Sequence, residues 1–174
     1  MKKIVALFCL SFVFFNVMSQ PFTHADTLRG SNGPGRSWWD ATKYDLHVKF
    51  NLRDSTISGY NVIKFKVLKK GSVMQIDLQE PMILDSIKYF ISSNMVNLSS
   101  NNFKKDGNAY FINTPNLKTK ISILKNENYL IVYYHGKPKI AVKPPWDGGL
   151  IWKRDKAGNP WISIACQGLG ASVW

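Results

Sequence analysis

The chain has 174 residues, with 23 Lys and Arg against 11 Asp and Glu, and a formal net charge of +12. That length is about one domain, large enough for the fold to rest on a hydrophobic core. So basic a balance suits nucleic acid or an anionic membrane, but the lysines are scattered and alternate with apolar residues, as in Lys64-Phe65-Lys66; this is the pattern of a solvated sheet face that guards strand edges, and it argues against a nucleic-acid partner.

Lys2 and Lys3 precede an apolar run from Ile4 to Val17, and small Ser19 stands two positions later. Charged, apolar and small in that order reads as a secretory signal peptide over residues 1–19, too short in its apolar part for a membrane span. The expectation is export to the periplasm or the extracellular space, with no stable membrane span in what remains. Cleavage would remove Cys9, leaving Cys166 as the one thiol and excluding an intramolecular disulfide, and would lower the charge to +10.

Residues 20–37 read as a linker-like entry segment, with the turn cluster Ser31-Asn32-Gly33-Pro34-Gly35. From 38 to 174 the pattern is that of one β-domain. In Tyr44 to Phe50, apolar Tyr44, Leu46, Val48 and Phe50 share one face and Asp45, His47 and Lys49 the other. Ile57 to Leu68 comes after a polar turn at Arg53-Asp54-Ser55 and predicts the second arm of an antiparallel hairpin. Val73 to Leu78 alternates, Pro81 interrupts, and Ile83 to Ile91 predicts another strand. Asn94 to Asn102 is polar and reads as a loop, and Asp106-Gly107-Asn108 as a turn into Ala109–Ile112. Lys120–Leu124, Tyr129–His135, Gly149–Lys153 and Trp161–Cys166 complete the set. No helical periodicity stands out beyond the signal peptide. The fold class expected is all-β, an antiparallel sandwich or saddle-like assembly of about eight strands.

Catalytic signals are mostly absent. His24, His47 and His135 form no His-x-x-x-His pair, and each reads as solvent-facing. Cys166 ends an apolar strand and reads as a small buried hydrophobe rather than a nucleophile. The run Gly168 to Ser172 lacks the spacing of a nucleophile elbow or a phosphate loop. Six tryptophans lie toward the two ends of the domain. They anchor the core or an interface with sequence beyond residue 174; alternatively, exposed members stack on sugars or bases. The apolar ending at Val173-Trp174 reads as a chain cut short.

Several stretches in order resemble the start of the M1 zinc aminopeptidases, the gluzincin group that includes the leukotriene A4 hydrolases. They are Asp26-Thr27-Leu28-Arg29-Gly30, Trp38-Trp39-Asp40 with the strand to Phe50, and Thr56-Ile57-Ser58-Gly59. Pro144-Pro145-Trp146-Asp147-Gly148-Gly149 is similar to the segment before that family's active-site strand, and Trp161 to Gly168 to the strand itself. The resemblance implies a saddle-shaped N-terminal β-domain packed on a thermolysin-like zinc domain. It also implies Gln167 as the group that binds the substrate's N-terminal end, with Gly168 lining the cleft by its backbone; an amide carbonyl accepts from an ammonium without fixed charge. Ala165 stands where many members carry a second Gln. The sequence contains neither Gly-x-Met-Glu-Asn nor His-Glu-x-x-His. The chain would then be an N-terminal domain without catalysis or cofactor of its own, whose partner is the remainder of its own protein. Zinc and peptide substrates would belong to the missing catalytic domain. The alternative is a stand-alone secreted β-sandwich that binds carbohydrate or another polymer.

Overall fold

The computed structural model describes residues 21–91, 94–114 and 128–166. The entry segment, expected to be a linker, instead contains a helix, α1 (His24–Gly30). Its cause is local. Thr23 Oγ1 accepts from the Asp26 amide at 3.2 Å while Asp26 accepts from the Thr23 amide at 3.0 Å, a reciprocal cap, and Arg29 pairs with Asp26 at 2.9 Å. The helix buries none of its residues, so it carries no apolar stripe for the sequence to display. Arg36 ties the segment down by donating to the carbonyls of Arg29 and Ser31 and pairing with Asp77.

Ten strands come next among the described residues: β1 (Trp39–Asn51), β2 (Thr56–Val67), β3 (Val73–Asp77), β4 (Ile83–Ile91), β5 (Asn94–Leu98), β6 (Phe103–Asp106), β7 (Ala109–Asn113), β8 (Asn128–Gly136), β9 (Gly149–Arg154) and β10 (Pro160–Ala165). They form a five-stranded sheet in the order β1-β2-β8-β4-β5, a three-stranded sheet β3-β7-β6, and the hairpin β9-β10. Every pairing is antiparallel, which agrees with the expected fold class.

The core lies between the two larger sheets. Ile63 and Phe65 of β2, Ile87 and Tyr89 of β4, and Leu130 and Val132 of β8 face Met74, Ile76, Tyr110 and Ile112 of β3 and β7. Trp38 closes one end, 1% exposed, with its indole N–H on the Val73 carbonyl at 2.7 Å. Ile57, Met82, Tyr134 and Leu150 make a second, smaller cluster that joins the hairpin to the sandwich.

Two expectations need correction, and one strand face is more open than its pattern suggests. Asn94–Leu98 is a strand rather than a loop: its register places Val96 opposite Tyr89 and Leu98 opposite Ile87, and Leu98 is buried. Burial of Leu98 and partial burial of Val96 on one face outweigh the polar composition. Phe103–Asp106, read as part of no element, pairs with β7 through the Asp106-Gly107-Asn108 turn. The apolar face of β1 is largely uncovered, with Tyr44 60%, Leu46 49% and Phe50 40% exposed. β1 is the sheet edge and supplies no buried residue to the main core. The expected strand Lys120–Leu124 lies outside the described residues.

Candidate functional site

The hairpin β9-β10 carries the chain toward Gln167 and Gly168, both of which lie outside the described residues. The described part of this region is the hairpin and the segment that leads into it. The strands pair from Gly149↔Ala165 to Arg154↔Pro160, so Leu150, Trp152, Ile162 and Ile164 share one face. Leu150 is fully buried against Ile57, Met82 and Tyr134, and Trp152 meets Phe50 edge-on at 6.0 Å. This face is the hairpin's anchor.

The far end of the hairpin is held by Asp155. Its carboxylate accepts from the amides of Ala157 at 2.9 Å and Asn159 at 2.8 Å, and from Asn159 Nδ2 at 3.1 Å. The Asn159 side chain first, and then the backbone amides, hold this carboxyl below the ordinary aspartate range. Arg154 closes the loop by donating to the Gly158 carbonyl at 2.7 Å.

The near end is held against the 137–149 segment. Leu150 donates to the Lys139 carbonyl at 2.8 Å and accepts from the Ala141 amide at 3.1 Å, a parallel bridge centred on Ile140. Gly149 makes this approach possible. Its φ is +149°, and a Cβ there would sit 2.5 Å from the Ala141 nitrogen. Asp147 then clamps the turn by accepting from the amides of Val142 at 2.6 Å and Lys143 at 2.7 Å. Desolvation pushes that carboxyl up, but the amides outweigh it and hold it below its ordinary value.

These contacts leave several apolar side chains of the 140–164 stretch uncovered. Ile140 is 55%, Val142 80%, Trp146 78% and Ile164 43% exposed. The Pro144–Gly149 segment and the β10 strand stand out in the sequence; Ile140 and Val142 do not, though their alternation around Ala141 is the signal that marks them. Trp161 is also exposed, on the opposite face of the hairpin from Leu150.

The remaining candidates separate. His24 pairs with Asp106 at 3.0 Å, His47 with Asp45 at 3.4 Å and His135 with Asp85 at 2.6 Å, each at an exposed site. Cys166, expected to be buried, is exposed, because it stands just past the last paired residue of β10. The zinc that the resemblance implies finds no donor set here: among the described residues no group of three or more His, Cys, Asp and Glu could hold a metal ion. Nor, among the described residues, is any helix long and apolar enough to cross a membrane.

No family model matches the sequence, and no curated protein matches it. Solved structures do match in fold. Native yeast LTA4 hydrolase is 17% identical with a TM-score of 0.56, over 94% of this chain and 23% of that one. Native leukotriene A4 hydrolase from Saccharomyces cerevisiae is 18% identical with a TM-score of 0.55, over 94% and 24%. An M1 zinc metallopeptidase from Deinococcus radiodurans reaches a TM-score of 0.46 at 17% identity, over 70% and 27%, too low a score to carry weight. The chain thus spans about a quarter of the length of the solved structures it matches. At such identities the likeness is one of fold, and that fold is the antiparallel β-architecture expected of an M1-type N-terminal domain.

Proposed function

We propose that the chain acts as the substrate-cleft domain of an exported M1-type zinc aminopeptidase, with the zinc held by other sequence of the same protein. The observation that carries this reading is the extent of the fold likeness: nearly all of this chain superposes on about a quarter of LTA4 hydrolase. The exposed apolar side chains Ile140, Val142, Trp146 and Ile164 support it, since uncovered apolar surface suits packing against a second domain. In the complete enzyme Gln167 accepts a hydrogen bond from the substrate's terminal ammonium, and the Gly168 backbone lines the same wall. Neither residue performs chemistry; they orient the peptide so that its first amide bond lies at the metal.

The test begins with the reading frame past codon 174. Absence of a His-Glu-x-x-His segment within the next few hundred codons sinks the reading. In the complete protein, Gln167→Leu should raise KM for unblocked peptides about tenfold, the cost of one hydrogen bond to a charged group. It should leave the fold's thermal midpoint unchanged.

A second reading rests on exposed Trp146 and Trp161. If the chain is a stand-alone carbohydrate-binding module, its tryptophan emission responds to a glycan panel and Trp161→Ala abolishes the response. The cleft reading expects no such response.

A further inference from the structure

The five-stranded sheet ends on β1, whose one strand partner is β2, so the other side of β1 presents an unpaired backbone. Among the described residues, no backbone hydrogen bond between backbone groups of Lys43 to Phe50 leaves the β1-β2 ladder. Proteins commonly blunt such an edge with a bulge, and β1 has one between Ala41 and Lys43. That bulge interrupts only the start of the strand. From Lys43 to Asn51 the ladder runs without a break.

The order of residues in this unbroken stretch is self-complementary about its middle residue, His47. Two copies set antiparallel with His47 opposite His47 bring Asp45 of each against Lys49 of the other. The same register places Tyr44 against Phe50 and Leu46 against Val48. Tyr44, Leu46 and Phe50 are the half-open side chains of the inner face, and each gains an apolar cross-strand neighbour. Neighbouring registers lose this match. Centring on Leu46 sets Lys43 against Lys49, centring on Asp45 sets that carboxylate against itself, and centring on Val48 sets Asp45 against Asn51. Within its own chain Asp45 has exposed pairs with Lys43 at 3.6 Å and His47 at 3.4 Å, and Lys49 has no ion-pair partner among the described residues. The His47 ring stacks on Tyr60 of β2 at 4.3 Å, which leans it away from the free edge.

We propose that the edge of β1 is a dimer interface, at which a second copy of this chain pairs strand to strand about a two-fold axis through His47 and the two sheets become continuous. The occupant is a second copy because the charge order, negative before the axis and positive after it, is matched by the same strand reversed. The interface uses none of the residues assigned to the peptide cleft, so it stands or falls independently of that reading.

Analytical ultracentrifugation of the 174-residue chain over a range of concentrations tests this. A reversible monomer–dimer equilibrium at about micromolar concentration is expected. Asp45→Lys sets like charges opposite each other at both symmetric positions, and so does Lys49→Asp; each should weaken the dimer about tenfold. Both side chains are exposed, so neither change removes a buried contact. The double variant Asp45→Lys, Lys49→Asp restores opposite charges and should recover the native affinity. A mixture of the two single variants should form a heterodimer, since every charge pair between them is attractive. In the unaltered chain, amides of β1 should exchange more slowly as concentration rises, while those of β5 at the opposite edge should not. A monomer at every concentration, single variants that dimerise like the native chain, a double variant that stays weak, or concentration-dependent protection confined to β9-β10 would each overturn the proposal.

Discussion

Leu150 is the point where the hairpin's attachment can be measured. The β9-β10 pair shares no strand pairing with either larger sheet. It is joined to them through the second cluster, whose hairpin member at full burial is Leu150, with Trp152 and Ile162 packed around it. Leu150→Ala removes three carbons from a site with no exposure. Such truncations cost about 2–5 kcal/mol, the upper part of the range applying where the surroundings cannot collapse. Here Ile57 and Tyr134 are held in register by β2-β8 pairing and Met82 is 2% exposed, so relaxation is limited and about 3 kcal/mol is expected. Because the β2-β8-β4 core is built from other residues, the loss should fall on the hairpin first. Native-state hydrogen exchange is the assay. A loss of about 3 kcal/mol corresponds to roughly 100-fold faster exchange for the amides of β9 and β10. The amides of Ile87, Leu130 and Val132 should keep most of their protection. If hairpin and sandwich amides accelerate together by the same factor, the hairpin is not a separately attached unit and the reasoning is refuted; protection unchanged in β9 and β10 refutes it equally.

The geometry also sets three other outcomes. Gly71 lies under the Trp38 ring, where a Cβ would meet ring atoms at 2.2 Å; Gly71→Ala should cost about 1–3 kcal/mol in urea unfolding, and a change below about 0.5 kcal/mol would show that the ring shifts freely. Burial pushes the Tyr134 phenol up to about 12 and the Tyr89 phenol upward as well, so the fold favours their neutral forms. That stability is intact below the unfolded value of ~10 and is lost as pH climbs toward the folded value; phenolate absorbance should rise together with loss of near-ultraviolet dichroism, and both tyrosines titrating near 10 in a folded chain would contradict it. Asp155 has its folded pKa lowered, chiefly by the Asn159 side chain, so its contribution is present above the unfolded value and fades as pH falls through the folded one. Its carboxyl carbon resonance should titrate below an ordinary aspartate and move back up in Asn159→Ala; an unchanged midpoint in the variant would remove Asn159 as the cause.

Strand positions are legible where a local rule suffices. Alternation in Tyr129–His135 and in Ile83–Ile91, with turn residues between, marks β8 and β4 without any tertiary information, and the Asp155–Pro160 run marks the turn joining β9 to β10. The reciprocal cap of Thr23 and Asp26 is also present as a signature, but a seven-residue helix with no buried face offers no periodicity to confirm it. Of the candidate site, the approach strand is legible and the clamp is not. Asp147 reaching back to Val142 and Lys143 depends on the path of an irregular segment that no alternation encodes.

Burial is decided elsewhere. Tyr44, Leu46 and Phe50 display the same alternation as Leu130, Val132 and Tyr134, yet the first set stands half open and the second is buried. The difference is strand order, since β8 lies between β2 and β4 under the second sheet while β1 is left at the edge. Likewise Asn94–Leu98 becomes a strand because β4 has a free edge to pair with, whatever its composition. The amino-acid sequence by itself determined the antiparallel β class, because period-two patterning and turn chemistry act over a few residues. Which apolar faces form the core and which stay exposed was decided only by tertiary structure, because side chains far apart in the chain must first be brought together.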